Sequence, residues 1–76
     1  MKDILEVVIK NLVDNPDEVS INEVTEAKSI CYEVKVAKND MGKVIGKQGK
    51  MAKAIRSIMK AIATREHKKV NVEFLD

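Results

Sequence analysis

The stretch "VIGKQGK", Val44 to Lys50, lies past the middle of a 76-residue chain that has only three glycines. Two of them, Gly46 and Gly49, stand here with Lys47 and Gln48 between them. Lysines surround the pair, with Lys43 one turn earlier and Lys50 directly after. Two structures suit this pattern. One is a plain turn between two helices with a soluble surface. The other is a loop built to hold the backbone of a nucleic acid. Asn39 and Asp40 are residue types that cap a helix, and they predict a short one over Met41–Ile45. Gly46 ends it. A longer helix is predicted from about Lys50 to Thr64. Glycine at both ends of "GKQG" permits backbone angles that other residues avoid and leaves no Cβ to obstruct a close partner. The loop then feeds the first turn of the longer helix, whose free N–H groups and partial positive charge suit a phosphate.

The rest of the chain arranges itself around this loop. Upstream, "SICYEVKVAK" (Ser29 to Lys38) alternates Ile30, Tyr32, Val34 and Val36 with Cys31, Glu33, Lys35 and Ala37, the period of a half-buried strand. "EVSINEVTE" (Glu18 to Glu26) carries a weaker strand pattern, and a short connection around Ala27 makes the two a hairpin. Before them, Ile4, Leu5, Val8, Ile9 and Leu12 share one face of a helix over Asp3 to Val13, stopped by Asp14-Asn15-Pro16. At the other end, "KKVNVEFLD" alternates Val70, Val72 and Phe74 with Asn71 and Glu73, a closing strand. The predicted order is helix, strand, strand, helix, helix, strand, in one domain over residues 1–76 with one small core. There is no repeat, low-complexity tract or linker.

Composition narrows the function. Hydrophobic residues make up 45% of the chain, ordinary for a folded protein. One cysteine, Cys31, excludes an internal disulfide, and one Cys with one His shows no metal-ligand spacing. His67 reads as a loop residue, and Cys31 as a small, at least half-buried apolar one. The start, "MKDILEVVIKNLV", is broken by Asp3, Glu6 and Lys10, so it reads neither as a signal peptide nor as a membrane span. The cytoplasm is the default location. Net charge is only +2 but is unevenly spread. Met1 to Glu33 holds 3 basic and 8 acidic residues, whereas Val34 to Arg65 holds 9 basic residues and one acid, Asp40. The basic block centres on the two glycines, and a polyanion is the simplest partner.

Other phosphate loops fit less well. A Walker loop needs four residues between its first glycine and Gly-Lys, then Ser or Thr; here Lys50 precedes Met51. The dinucleotide fingerprint fails because the glycines fall as "GKVIGKQG" and follow a helix rather than a strand. No nucleophile–base pair and no paired carboxylates accompany the loop, so neither an enzyme nor a cofactor is expected.

"VIGKQGK" between two helices resembles the GxxG loop of KH domains, which clamps about four nucleotides of single-stranded RNA or DNA. The strand–helix–GxxG–helix–strand from Ser29 to Leu75 is similar to the KH core, and the preceding helix and strand match the arrangement called type II. The chain most resembles the KhpA family, small bacterial proteins made of a single KH domain. The resemblance implies an α+β fold of type II KH topology (α-β-β-α-α-β), a three-stranded sheet with helices packed on one face. It also implies binding of single-stranded RNA, a cytoplasmic location and a tendency to form a homodimer. Some members pair with a larger KH-containing protein. The candidate RNA-binding residues are Lys43, Val44, Ile45, Gly46, Lys47, Gln48, Gly49, Lys50 and Lys53.

Aromatic residues are only 3% of the chain, Tyr32 and Phe74, so it lacks the stacking platforms of other single-strand binders. KH domains resemble it in using an aliphatic groove. The candidates here are Met41, Val44 and Ile45 before the loop, Ala52 and Ile55 after it, and the strand around Val34 to Ala37. Of Val44 and Ile45, one is expected in the core and the other in the groove. On the long helix, Met51, Ala52, Ile55, Ile58, Met59, Ile62 and Ala63 span about 140° of the circumference, wide for one side of a small sheet. Ile55, Met59 and Ile62 are expected to fill the core. Ala54, Ile58 and Ala61 are expected to stay exposed and pair with a second copy. Two other functions remain open: a protein-interaction or dimerisation module on the same scaffold, and a binder of single-stranded DNA, since phosphates look alike.

Overall fold

A computed structural model describes residues 1–75 of the chain. Helix α1 (Lys2–Leu12) buries Leu5 and Ile9, four residues apart on one face, and leaves Ile4 and Val7 exposed. It stops where Val13 turns to extended backbone. Pro16 then opens a single 3-10 turn, where its fixed φ is an asset and its missing N–H no loss. Strands β1 (Ser20–Thr25) and β2 (Ser29–Lys35) form the expected hairpin, antiparallel from Ser20 opposite Lys35 to Thr25 opposite Ile30. Helix α2 (Met41–Ile45), the GKQG loop and helix α3 (Lys50–Arg65) then carry the chain over to β3 (Lys69–Leu75). β3 pairs with β2 in parallel, Ser29 opposite Lys69 and Lys35 opposite Leu75. Parallel neighbours need such a crossover connection. Asp76, in the predicted closing strand, lies outside the described residues.

The sheet order is β1-β2-β3, with β2 in the centre. Alternation then sets its two faces. Ile30, Tyr32 and Val34 of β2 point toward the helices and are buried, as is Val72 of β3. Leu5 and Ile9 of α1, Val44 of α2, and Ile55 and Met59 of α3 meet them in one cluster. Each fully buried Leu or Ile contributes about 1.5–3 kcal/mol relative to leaving it in water. On the other face, Lys35, Lys69, Asn71 and Glu73 are exposed and Cys31 and Glu33 half-buried. The architecture is the expected α+β sheet with helices on one side. On α3 the core stripe is Ala52, Ile55, Met59 and Ala63. Ile62, expected in it, is half-buried and Ala63 takes the sheet-facing place. Ala54, Ile58 and Ala61 are exposed, as expected.

Two expectations around the start of α2 change as well. β2 ends at Lys35 rather than Lys38, because Lys38–Asp40 wind into a 3-10 turn closed by Asp40 N–H on the Ala37 carbonyl at 2.8 Å. Asp40 also does not cap α2 with its side chain. Its carboxylate is fully buried and accepts from the main-chain N–H of Asp14 (3.2 Å) and of Asn15 (3.0 Å), and from Asn15 Nδ2 (3.0 Å). Asp14 and Asn15 sit in the bend between α1 and β1, where no ladder satisfies their N–H groups. A buried carboxylate, in turn, needs several donors to remain charged. Burial by itself would raise the Asp40 pKa; the Asp14 and Asn15 donors, helped by the Lys43 charge, outweigh it and hold the carboxyl below its usual range.

Candidate nucleic-acid interface

The two glycines of the loop are required for different reasons. Gly46 closes α2, its N–H bonded to the Gly42 carbonyl at 2.9 Å, with φ 77° and ψ 176°. That region of backbone space is essentially reserved for glycine. A Cβ on Gly46 would also lie 2.7 Å from Met51 Cβ and 2.8 Å from Met51 N. The absent side chain is what lets α2 end hard against the start of α3. Gly49 is left-handed, with φ 74° and ψ 13°, and a Cβ there would meet nothing within 4 Å. Between them Gln48 is also left-handed at φ 55°. Lys47 and Gln48 are exposed, and Gly49 N–H closes on the Gly46 carbonyl at 3.3 Å.

Helix α3 begins at Lys50 with no side-chain cap and no acidic residue in its first turn. Its N-terminal N–H groups and dipole are therefore not offset locally. Lys47, Lys50 and Lys53 are exposed, and none is ion-paired among the described residues. Lys43 is different. It is ion-paired with Asp14 and lies 3.9 Å from Asp40, and the Asp14 contact raises its pKa. The structure thus brings Gly46, Lys47, Gln48, Gly49, Lys50 and Lys53 onto one surface and turns Lys43 toward the α1–β1 bend.

The apolar candidates also divide. Val44 is fully buried and presents no surface to a ligand, so of the pair it is Ile45, half-buried, that borders the loop. Ala52 and Ile55 are buried, whereas Met41 and Met51 are half-buried. Val34 and Ala37 are buried in the core, so of the expected groove wall around Val34 to Ala37 only exposed Lys35 and half-buried Val36 present surface. A cleft of about 540 Å³ lies between α3 and β3, an outer strand, bordered by Arg56, Lys60 and Thr64 from the helix and Val70, Val72 and Glu73 from the strand. Within it Arg56 Nε donates to the Val72 carbonyl at 3.0 Å, and its guanidinium carbon sits 5.5 Å from the Phe74 ring centroid. Arg56 and Lys60 belong to the basic block but are not among the residues that the sequence picks out for RNA contact. Their signal is the basic spacing 53, 56, 60 on one helix face; what it lacked was the sheet order that makes β3 the outer strand.

The arrangement offers little for covalent chemistry. Burial, with Glu73 and Glu33 nearby, pushes the Cys31 thiol up, the opposite of an activated thiolate. Burial and the adjacent Glu23 push the Tyr32 phenol up to about 12. Among the described residues no group of His, Cys, Asp or Glu is placed to hold a metal ion, and no helix is long and apolar enough to cross a membrane.

A family model described as KhpA/KhpB, KH domain, matches residues 2–74 of the chain. A Clostridium acetobutylicum protein named RNA-binding protein KhpA is 59% identical over 75 residues, covering 99% of this chain and 100% of that relative. A Clostridium perfringens protein of the same name is 55% identical over 75 residues, with coverage of 99% and 100%. A third, from Chlamydia caviae, is 50% identical over 76 residues, 100% of this chain and 97% of the relative. No solved structure matches the chain.

Proposed function

Because the chain belongs to the KhpA/KhpB KH-domain family, we propose that it binds single-stranded RNA in the cytoplasm, with Gly46-Lys47-Gln48-Gly49 clamping the backbone. The family is one of binding proteins rather than enzymes, and the work of this chain is recognition without catalysis. The observation that carries the clamp is the loop itself. It has left-handed backbone at Gln48 and Gly49, open space beside Gly49, and an uncapped helix N-terminus flanked by unpaired Lys47 and Lys50. A phosphate can approach main-chain N–H groups there without steric resistance and in a positive field. Beyond the loop, Lys53, Arg56 and Lys60 continue the field along α3. From Lys50 to Lys60 this ridge runs about 15 Å at ~1.5 Å per residue. Bases lie against half-buried apolar groups such as Ile45 and Met51 and enter the α3–β3 cleft.

The test is the double variant Lys47→Asp, Gln48→Asp with both glycines kept. Asp tolerates left-handed backbone better than most residues, so the fold is retained at position 48. Fluorescence anisotropy with an unstructured RNA should show wild-type affinity falling with salt, at a log–log slope of about −0.7 per neutralised phosphate, near −2 for three contacts. The double variant should lose most of that affinity with an unchanged circular dichroism spectrum. Full binding by the folded variant overturns the clamp. Equal or tighter binding of duplex, or of single-stranded DNA, redirects the choice of nucleic acid.

A protein-contact role is supported by one further observation. Ile58, 46% exposed, sits between exposed Ala54 and Ala61 on the outer side of α3. Small residues beside an isoleucine allow two helices to approach closely, and a two-fold pairing buries that edge against its copy or against a larger KH-containing partner. Two linked clamps on one RNA would raise affinity without any new contact to it.

A further inference from the structure

Arg56 is an exposed arginine held in one place. Its Nε–H is engaged by the Val72 carbonyl at 3.0 Å, and its guanidinium lies over Phe74 at 5.5 Å. A free surface arginine spreads over many rotamers and loses that freedom on binding a ligand; here two contacts have already removed much of it. A guanidinium carries five N–H donors. One is engaged by Val72, and the four on the Nη atoms remain. No carboxylate among the described residues is ion-paired with them. The group borders the 540 Å³ cleft, flanked by Lys53 one turn before and Lys60 one turn after on α3. A fixed, planar, charged donor with no carboxylate partner among the described residues, in a cleft of ligand-binding size, has the form of a recognition element rather than of a structural ion pair.

What it would recognise follows from its shape. Phosphates are held well by the surrounding lysines, whose ammonium groups are movable point charges with no preferred plane. A planar fork adds selectivity only toward two acceptors side by side. Among RNA bases, guanine presents such a pair at N7 and O6, and cytosine at N3 and O2. Adenine pairs N7 with a donor, and uracil separates its two carbonyls by an N–H. In a single strand these edges are unpaired and can be turned into a cleft. The chain has no free aromatic platform, since Tyr32 is buried and Phe74 is covered by Arg56 itself.

Resting on the RNA-binding reading above, we propose that Arg56 is a specificity-determining residue that reads one base of the bound strand in the α3–β3 cleft, favouring a base with two adjacent acceptors, guanine or cytosine. The Val72 carbonyl and the Phe74 ring position it.

The experiment measures binding of eight-nucleotide RNAs by anisotropy: octa-uridine, and the same octamer with one central guanine, cytosine or adenine. Wild-type protein should bind the guanine or the cytosine octamer about 5- to 100-fold more tightly than octa-uridine, the discrimination expected of one bidentate contact. Arg56→Lys keeps the charge and loses the fork; it should bring all four octamers to within about threefold of one another. Lys60→Ala should weaken all four alike. The preferred octamer identifies the base; if it is the guanine one, 7-deazaguanine in its place should abolish the preference, and a guanine preference untouched by it overturns the fork at N7 and O6. Arg56→Gln is a second variant, used if Arg56→Lys melts early. A preference that survives both variants, or an equal loss across all four octamers, overturns the assignment. Wild-type protein that binds octamers without preference refutes the Arg56 proposal alone. Wild-type protein that binds none of them refutes the RNA reading and this proposal with it.

Discussion

Alanine at Gly46 and alanine at Gly49 should have unlike effects, although the two look equivalent in the motif. At Gly46, φ 77° and ψ 176° fall in a region that costs a residue with a Cβ about 1–3 kcal/mol. The new methyl group would also stand 2.7 Å from Met51 Cβ and 2.8 Å from Met51 N. Both atoms belong to the first turn of α3, so the clash cannot be relieved by turning a flexible side chain. Such overpacking costs about 1–3 kcal/mol. Loss of unfolded-chain freedom on replacing glycine returns about 0.4–1 kcal/mol. The net loss is about 1–5.6 kcal/mol. At Gly49, φ 74° and ψ 13° are left-handed, which costs an alanine about 1–2 kcal/mol, and nothing lies within 4 Å of its Cβ. After the same offset the loss is about 0–1.6 kcal/mol. In a domain this small, 1 kcal/mol moves the melting temperature by about 4–8 °C. Thermal melts at one fixed protein concentration should therefore place Gly46→Ala well below Gly49→Ala, by about 15 °C at the middle of these ranges. RNA affinity of the folded fraction should order the other way, because the methyl at Gly49 occupies open space where a backbone would approach. Gly46→Ala melting with or above Gly49→Ala would refute the steric argument.

Three further outcomes follow from the contacts described. Asp40 has a folded-state pKa below its unfolded one, so its contribution is full above the unfolded value and is lost as pH falls through the folded one; wild-type melting temperature should drop between about pH 5 and pH 2, and Asp40→Asn should start lower at neutral pH and vary less across that window. Lys47→Ala should reduce the salt slope of RNA binding by about 0.7, whereas Lys43→Ala, which releases Asp14 rather than a phosphate, should barely change it; equal effects would put Lys43 on the RNA. Ile58→Asp should leave a folded monomer with weaker RNA binding where the wild type sediments as a dimer at tens of micromolar, and a wild type that is monomeric there removes the helix-edge dimer.

The elements were legible because their signals are local. The period-2 run Ile30, Tyr32, Val34 and the helical spacing around Leu5 and Ile9 each state a buried face within a few residues, although Ile4, expected on that face, is exposed, and the glycines of GKQG state a turn. What was not legible depends on residues far apart in sequence. Asp40 carries the local signature of a helix cap, yet its partners, Asp14 and Asn15, stand 26 and 25 residues away and out-compete the nearby N–H groups. Lys43 sits one turn before the loop and looks like part of its field until the same bend takes it up. Val44 and Ile45 could not be told apart in a five-residue helix, too short for periodicity to choose an inward face. The groove was assigned to the strand before the loop in sequence, but Val34 and Ala37 there are used in the core, and the cleft beside α3 is bordered by β3, which the chain reaches only after that helix.

The same contacts change what the block of basic charge means. Nine basic residues lie between Val34 and Arg65, and a count of charge treats them alike. The structure gives them different freedoms. Lys43 is neutralised by acids of the N-terminal third, and Arg56 is immobilised but still charged, whereas Lys47, Lys50, Lys53 and Lys60 carry no ion pair among the described residues. Mobile lysines suit a repeating phosphate backbone, which asks for charge and little geometry. A fixed guanidinium suits a base edge, which asks for geometry. A domain that contacts about four nucleotides and lacks a stacking platform can discriminate among RNAs only through groups of the second kind. On the two proposals made above, selectivity therefore concentrates at Arg56, while the GKQG loop supplies affinity that every single strand shares.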